Sequence, residues 1–524
     1  MTTYSHKRPH TLPGLILCAT ILACIPLTLH AQQELSGPQS GTLAAGVYDV
    51  IGDVSVADGH QWSLSAGVHL RFYPGTRCLV NGTLVANGAE DDSVYFTRYD
   101  EDQAWSGIDV LDYSYIGLDH TVVTGSDDNG IYCYSSILKL THSRVSYNSD
   151  DTEEGGGIYC QSAFYDTVFY SDLTNNDGDG YYGYFVTLKL RESVIANNAG
   201  RGLAVVGSTV YCDKTVFDSN QNSAVYNGSA GVVADSCRFT NNTAANGGAV
   251  YAQGHFSATY SLFENNSATY DGGVFYRPLY GTTSVENCVL VNNTAGQHGS
   301  VFYFDASQIR NCIISNNIGD AAIYSYGNGT IPYYNIFYNN CENMLTEEPR
   351  SPVIHFEEIT MVNVNGDSCD PHFNLFMDPE FDPESEDLFH LLSTSPAIDA
   401  GDPDNPHDPD STIADIGMHY YDQGSAVWDN RRLSPNPHDF GIIRAYPNPF
   451  NSTVTIAFTL PTPSSVEMAV YTITGQRVNT ISLGQRSGHQ TISWTAPDGL
   501  ASGVYLLRMS GGGQQASRKV VYLK

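Results

Sequence analysis

Carboxylates are the residues whose grouping could do chemistry in this chain. Asp127-Asp128, Asp150-Asp151 with Glu153-Glu154, and Asp177 with Asp179 all fall in its first third. Two carboxyl groups about 5 to 9 Å apart can break a glycosidic bond, one protonating the leaving oxygen while the other attacks or activates water. Asp150, Asp151, Asp177 and Asp179 are the catalytic candidates on that reading. Few basic partners lie nearby, namely Lys139, Arg144, Lys189, Arg191 and Arg201, so solvated loop acids are the plainer expectation. A second crowd, Asp399, Asp402, Asp404, Asp408, Asp410 and Asp415, is interleaved with Pro and Gly. Hard oxygen donors of this kind suit calcium, although the Gly and bidentate Glu of an EF-hand loop are missing. No CxxC or His-containing metal spacing occurs, so the sequence gives zinc no support.

The elements that would position these acids repeat. Asn pairs begin at Asn175, Asn197, Asn241, Asn265, Asn292, Asn316 and Asn339, with Ser219-Asn220 filling the gap, at intervals of 22 to 27 residues. Short apolar runs such as Val194-Ile195-Ala196 and Leu262-Phe263-Glu264 precede the pairs, and runs such as Gly247-Gly248-Ala249-Val250-Tyr251 follow them. A unit this short has no room for a crossover helix and must stack on its neighbours, which predicts a parallel β-helix. Asn tolerates the left-handed backbone of a corner, and stacked amides can form a hydrogen-bonded ladder. The wider interval around residues 148–176 is an insertion, the usual place for a binding cleft on a solenoid.

Phe239-Thr240-Asn241-Asn242 followed by Gly247-Gly248-Ala249-Val250 resembles the repeats of the chlamydial polymorphic outer-membrane proteins. From Val54 to Ile108 the strands and Gly turns, ending in Trp105-Ser106-Gly107-Ile108, resemble the leading coils of secreted bacterial right-handed β-helices. The stretch from Asp378-Pro379-Glu380-Phe381 through Ser395-Pro396-Ala397-Ile398-Asp399 to Ala414-Asp415-Ile416-Gly417 resembles their closing tails. Enzymes of that fold cleave acidic polysaccharides, but the ordered paired-Asp and Gly-His-Gly motifs of polygalacturonases are absent. Tyr446-Pro447-Asn448-Pro449-Phe450-Asn451, Gly475-Gln476, Gly503-Val504-Tyr505 and Lys519-Val520-Val521 resemble the C-terminal sorting domain of type IX secretion substrates. That resemblance implies passage through the type IX machinery to the outer-membrane surface of a Gram-negative bacterium, or release, with surface lipopolysaccharide as an attachment partner.

The expected organisation is a leader over 1–31, with Lys7 and Arg8 ahead of an apolar stretch and a small-residue cleavage site at Ala31. Leading coils over 32–110, regular repeats over 111–355, a closing region over 356–425, a linker over 426–440 and a small β-sandwich over 441–524 follow. The fold class is therefore all-β, a right-handed parallel β-helix followed by a sandwich. With 24 Lys and Arg against 56 Asp and Glu the net charge is −32, which argues against nucleic acid as a partner. No segment of the mature chain has the ~20 apolar residues of a membrane-spanning helix. Cys237, Cys288 and Cys312 each stand four residues before an Asn pair and are expected to stack as small hydrophobes like Val and Ile. Cys133 and Cys160 occupy matching positions one coil apart, close enough for a coil-to-coil disulfide. The 35 Tyr suit half-exposed strands, and a row of them would also suit sugar rings. The expected function is a non-catalytic adhesin or glycan-binding envelope component, with a polysaccharide lyase or glycoside hydrolase as the alternative.

Overall fold

The computed structural model describes residues 33–150, 155–278, 281–304, 308–325, 331–346, 356–385, 389–423, 441–446, 450–472, 476–497, 499–511 and 514–524. The expected leader, Asp151, Pro447, Asn448 and Pro449 lie outside the described residues. Residues 41–345 form a parallel β-solenoid. The chain divides into two compact units, 1–256 with 277–281, and 257–276 with 282–524.

In the first unit a regular coil contains three short strands, as in Tyr115–Asp119, Thr121–Thr124 and Ile131–Tyr134. Each pairs in parallel with its counterpart one coil on, Tyr115–Asp119 with Ile137–Thr141 and Thr121–Thr124 with Arg144–Ser146. The period of two along each strand sends Ile116, Leu118, Val123, Ile131 and their equivalents inward, where they are fully buried. Phe217 and Phe239 stack in this core at 4.9 Å and 2°. Burying each such side chain contributes roughly 1.5–3 kcal/mol.

Three corners turn the chain, and each holds a residue in the left-handed region. His120, His142 and Tyr170 (φ 45°, 46° and 53°) occupy the first; Tyr147, Asn175, Asn197, Ser219 and Asn241 (φ 55° to 58°) the second; Ser135, Ser162 and Phe185 (φ 48° to 54°) the third. At the second corner the two residues of an Asn pair divide the work. The first takes the strained backbone, and the second turns inward into a buried ladder, Asn148–Asn176–Asn198–Asn220–Asn242. Asn198 Oδ1 accepts from both the backbone N–H and Nδ2 of Asn176, whose Nδ2 also donates to Val145 O. Asn266, Asn293, Asn317 and Asn340 repeat the arrangement in the second unit. Every polar atom of a rung is used, so removing one amide strands its neighbours at about 1–3 kcal/mol.

The cysteines correct the expectation. At the position of Cys237, other coils of the first unit place Ser143, Ser171, Ser193 and Thr215, not Val or Ile. Each hydroxyl donates to the carbonyl two residues back, Ser171 Oγ to Phe169 O at 2.8 Å and Ser193 Oγ to Arg191 O at 2.8 Å. Cys237 Sγ does the same to Asp235 O at 3.3 Å, and in the second unit Cys288 and Cys312 bond the carbonyls of Glu286 and Arg310. Thiol thus stands in for hydroxyl in a polar column. Cys133 and Cys160 are in register as expected but are buried free thiols, in hydrogen-bond contact with each other and without a disulfide.

In the second unit the outward positions of the second strands are apolar, Leu262, Val289, Ile313 and Ile336. Cys369, Leu375, Leu391, Ala397, Ala400 and Ile416 of the closing region cover them. The closing region also extends the stack, with Asn335 N–H donating to Asn374 Oδ1 and Leu375 N–H to Asn335 O.

The C-terminal domain has five antiparallel strands, Gly441–Tyr446, Thr453–Thr472, Arg477–Thr495, Gly503–Gly511 and Gln514–Tyr522, joined in a single sheet. Its two longest strands lose register between Leu460 and Ser464. Val454, Ile456 and Phe458 before that point share one core with Val466, Met468 and Leu507 after it. Tyr505 is buried there and donates to Ala501 O at 2.7 Å. Gly503 and Lys519 lie on its last two strands.

Candidate functional site: a tyrosine face between acid and aromatic margins

The third strands of three successive coils, Ile131–Tyr134, Gly156–Gln161 and Asp179–Tyr184, align Tyr132 with Tyr159 and Tyr182, and Tyr134 with Gln161 and Tyr184. Alternation buries Ile131, Cys133, Ile158, Cys160 and Tyr181 and points both aligned columns away from that core, with Tyr134 exposed, Tyr132, Tyr159 and Tyr184 half-buried, and Tyr182 covered to 6% exposure. Tyr132 and Tyr159 stack with centroids 5.4 Å apart, Tyr159 and Tyr182 at 4.9 Å. Asp109 precedes Tyr132 in the column, paired to Arg77 at 2.8 Å. Burial pushes the Asp109 pKa up against the lowering effect of that arginine. The next position beyond Tyr182 is Ala204, followed by Tyr226. Arg201 occupies the space the small side chain leaves, its guanidinium 5.8 Å from the Tyr182 ring and 5.1 Å from that of Tyr226.

The predicted acids form the margin where the chain enters these strands. Asp127 and Asp177 are exposed. Asp128 Oδ1 accepts from Asn129 N–H at 2.8 Å, and Asn129 Nδ2 also donates to Asp150 Oδ2 at 3.3 Å. Asp179 is set apart from them. It is buried and held by Arg201 through Nε and Nη2, with the closest contact 2.7 Å, and it accepts from the Arg201 backbone N–H as well. Two nitrogens on one carboxylate make it an anchor for the arginine that separates Tyr182 from Tyr226.

The opposite margin is aromatic. The offset between coils rises from 22 residues at Val123↔Val145 to 27 at Cys133↔Cys160 and 28 at Lys139↔Thr167. Five extra residues therefore enter before the third strand and one after it. The later insertion brings out Phe164 and Tyr165, 50% and 69% exposed, beside Tyr113 at 81% and Phe185 at 57%. Tyr113 and Phe164 stack at 6.2 Å, and Tyr184 meets Phe185 edge-on at 4.4 Å.

The six acids of the closing region are spread out by their partners. Asp402 pairs with Arg310 at 3.3 Å, and Asp404 N–H donates to Asp402 Oδ1. Asp415 accepts from the backbone of Asp399 and Tyr421, Asp408 from that of Asp415, and Asp410 from that of Thr412 and Gln423. No three of these carboxylates bring oxygens within 4.8 Å of one another. Burial, with neighbouring carboxylates, raises Asp415 to about 7 and Asp408 to about 6. Asp399 also lines an open cleft of about 750 Å³ with Asp378, Glu380 and Tyr421.

Among the described residues, His, Cys, Asp or Glu donors gather three at a time in one place, at Asp119, His120 and His142. Local spacing conceals this group, since the two histidines stand 22 residues apart, one full coil.

Family models match in three stretches: a secretion system C-terminal sorting domain over 444–523, a right-handed β-helix region over 92–244, and a Chlamydia polymorphic membrane protein repeat over 236–253. No curated protein matches. Solved structures similar to it include a mutant of the periplasmic alginate epimerase AlgG, 11% identical over 59% of this chain and 77% of that one, with a TM-score of 0.31. The A-module of the Azotobacter vinelandii mannuronan C-5 epimerase AlgE6 is 12% identical over 59% and 89%, at 0.29. Pectate lyase Pel9A is 15% identical over 68% and 88%, at 0.28. The repeats, the solenoid they build and the matched tail make this chain a right-handed parallel β-helix protein that carries a type IX secretion sorting domain and is exported across the outer membrane to the cell surface or beyond.

Proposed function

We propose that the face built by Tyr132, Tyr134, Tyr159 and Tyr184, with buried Tyr182 supporting it from below, binds a glycan chain, and that the protein acts outside the cell as a glycan-binding or adhesive component. The observation that carries this reading is the pair of outward columns running into exposed Tyr113, Phe164, Tyr165 and Phe185. Aromatic side chains present flat apolar bodies, and tyrosine adds a polar tip, the combination a sugar ring needs. A contiguous exposed apolar patch marks an interaction site far better than scattered residues do. Asp127, Asp128, Asp150 and Asp177 along the other margin repel a polyanion, so the preferred chain is an uncharged one.

Retention of the purified protein on neutral and acidic polysaccharides tests the reading. Tyr134→Ala and Tyr159→Ala are expected to weaken retention on a neutral chain about tenfold, some 1.4 kcal/mol. Failure of the natural protein to bind any neutral chain would sink it. New reducing or unsaturated ends, lost in Asp150→Asn or Asp177→Asn, would replace it with hydrolysis or elimination.

A further inference from the structure

We propose that Asp119, His120 and His142 form a binding site for a divalent transition-metal ion of the zinc class at the corner between the first and second strands. Asp119 ends one first strand, and His120 takes the corner after it. His142 takes the same corner one coil later, so stacking delivers both rings to one carboxylate without any local motif. Asp119 Oδ1 lies 3.2 Å from His120 Nδ1 and 3.1 Å from His142 Nδ1. All three donor atoms fall within 4.8 Å of one another. Zinc–nitrogen and zinc–oxygen bonds of about 2.0–2.1 Å give a tetrahedron an edge of about 3.3 Å, close to both separations.

A shared proton explains one half of this cluster and leaves the other unexplained. His142 Nδ1 makes a hydrogen bond to Asp119 Oδ1. His120 Nδ1 is buried and lies 3.2 Å from the same oxygen, yet outside hydrogen-bonding geometry, so it makes no hydrogen bond. A buried ring nitrogen without a hydrogen bond is an uncompensated cost, which coordination to a cation removes. Thr141 Oγ1 donates to Asp119 Oδ1 at 2.8 Å and so fixes the carboxylate from outside the donor set. The imidazole rings stack 4.6 Å apart, and Tyr170 lies beneath His142 at 5.1 Å, holding its plane. Two imidazoles and one carboxylate select zinc-class ions over calcium, which prefers oxygen alone. The His142 side chain is 49% exposed, so the ion has a way in.

Zinc chloride titrated into the purified full-length chain, with excess calcium present, tests the site. One saturable equivalent is expected, with affinity falling at least about tenfold in His142→Asn, His120→Asn and Asp119→Asn. Asparagine keeps the corner, since Asn287 and Asn311 occupy the same position at φ 50° and 52° in later coils. Zinc is also expected to raise the melting temperature of the natural chain and not of His142→Asn, whose side chain is exposed enough to leave folding intact. Equal zinc affinity in natural and His142→Asn chains would place the ion elsewhere, for instance at exposed Cys341, and overturn the proposal. So would the absence of saturable binding.

Discussion

Tyrosines stack along the third strands of both units, yet among the described residues one stack alone is built up into a candidate site. Tyr276, Tyr303 and Tyr324 in the second unit repeat the rise of Tyr132, Tyr159 and Tyr182, with centroids 5.2 and 5.4 Å apart against 5.4 and 4.9 Å. Stacking at this interval follows from the coil spacing itself. In the first unit the column also gains an arginine spacer tied to a buried carboxylate, an acid margin, and exposed aromatics delivered by insertion. A tyrosine column by itself is therefore a habit of the repeat, and the additions around one column carry the functional reading.

The largest effect is expected where the first column is anchored. Arg201→Met removes the guanidinium that neutralises Asp179, whose side chain is 1% exposed, and leaves only weaker, uncharged donors such as the backbone N–H of residue 201 on that buried carboxylate. Loss of a partner from such a pair costs on the order of 3 kcal/mol, read as a lower melting temperature of the first unit. A change within about 0.5 kcal/mol would show that the ion pair is dispensable, and with it the contrast between the columns.

The units also hide protons differently, which gives a second effect of smaller size. In the first, Asp166 is buried with Tyr181 Oη donating to it at 2.6 Å, and burial raises its pKa to about 6. In the second, burial raises Asp415 to about 7. Both lie above the unfolded value of about 3.9, so the folded state holds these protons more tightly. Their stabilisation is complete below about pH 4 and is lost as pH rises through 6 and 7. Unfolding between pH 5 and pH 8 should show each unit weakening by on the order of 2 kcal/mol after allowance for partial screening. Asp166→Asn should flatten the profile of the first unit alone. Millimolar calcium reversing the loss in the second would confirm the expectation that its six aspartates hold that ion; no reversal would remove it.

What was legible in the sequence was whatever the fold repeats at one position. The left-handed corner needs Asn175 and Asn197, the buried rung needs Asn176 and Asn198, and so the coil could be counted directly. The insertion near residue 148 was legible as a change of interval. Partnerships made across coils were hidden, because they join residues 22 or more positions apart with no local pattern. Asp179 reads as one loop acid among several until Arg201 is stacked beneath it, and His120 and His142 read as unrelated. Cys237 reads as a hydrophobe until Ser193 and Thr215 appear in the same column, donating to the same kind of carbonyl.

The comparison of the two columns is sharpest at Phe164 and Tyr165, which the second has no described counterpart for. Replacing both with Ser leaves the stack of Tyr132, Tyr159 and Tyr182 intact, since neither residue is part of it and both are at least half exposed. If the aromatic margin holds the ligand, retention on a neutral polysaccharide should fall about tenfold with little change in melting temperature. Tyr303→Ser, which breaks the second column at its centre, should leave retention within about twofold. The reverse result, loss with Tyr303→Ser and none with the Phe164 and Tyr165 pair, would mean that stacking alone makes the binding surface. The insertion would then be a tolerated irregularity of the coil, and the search for ligand contacts would move to the second unit.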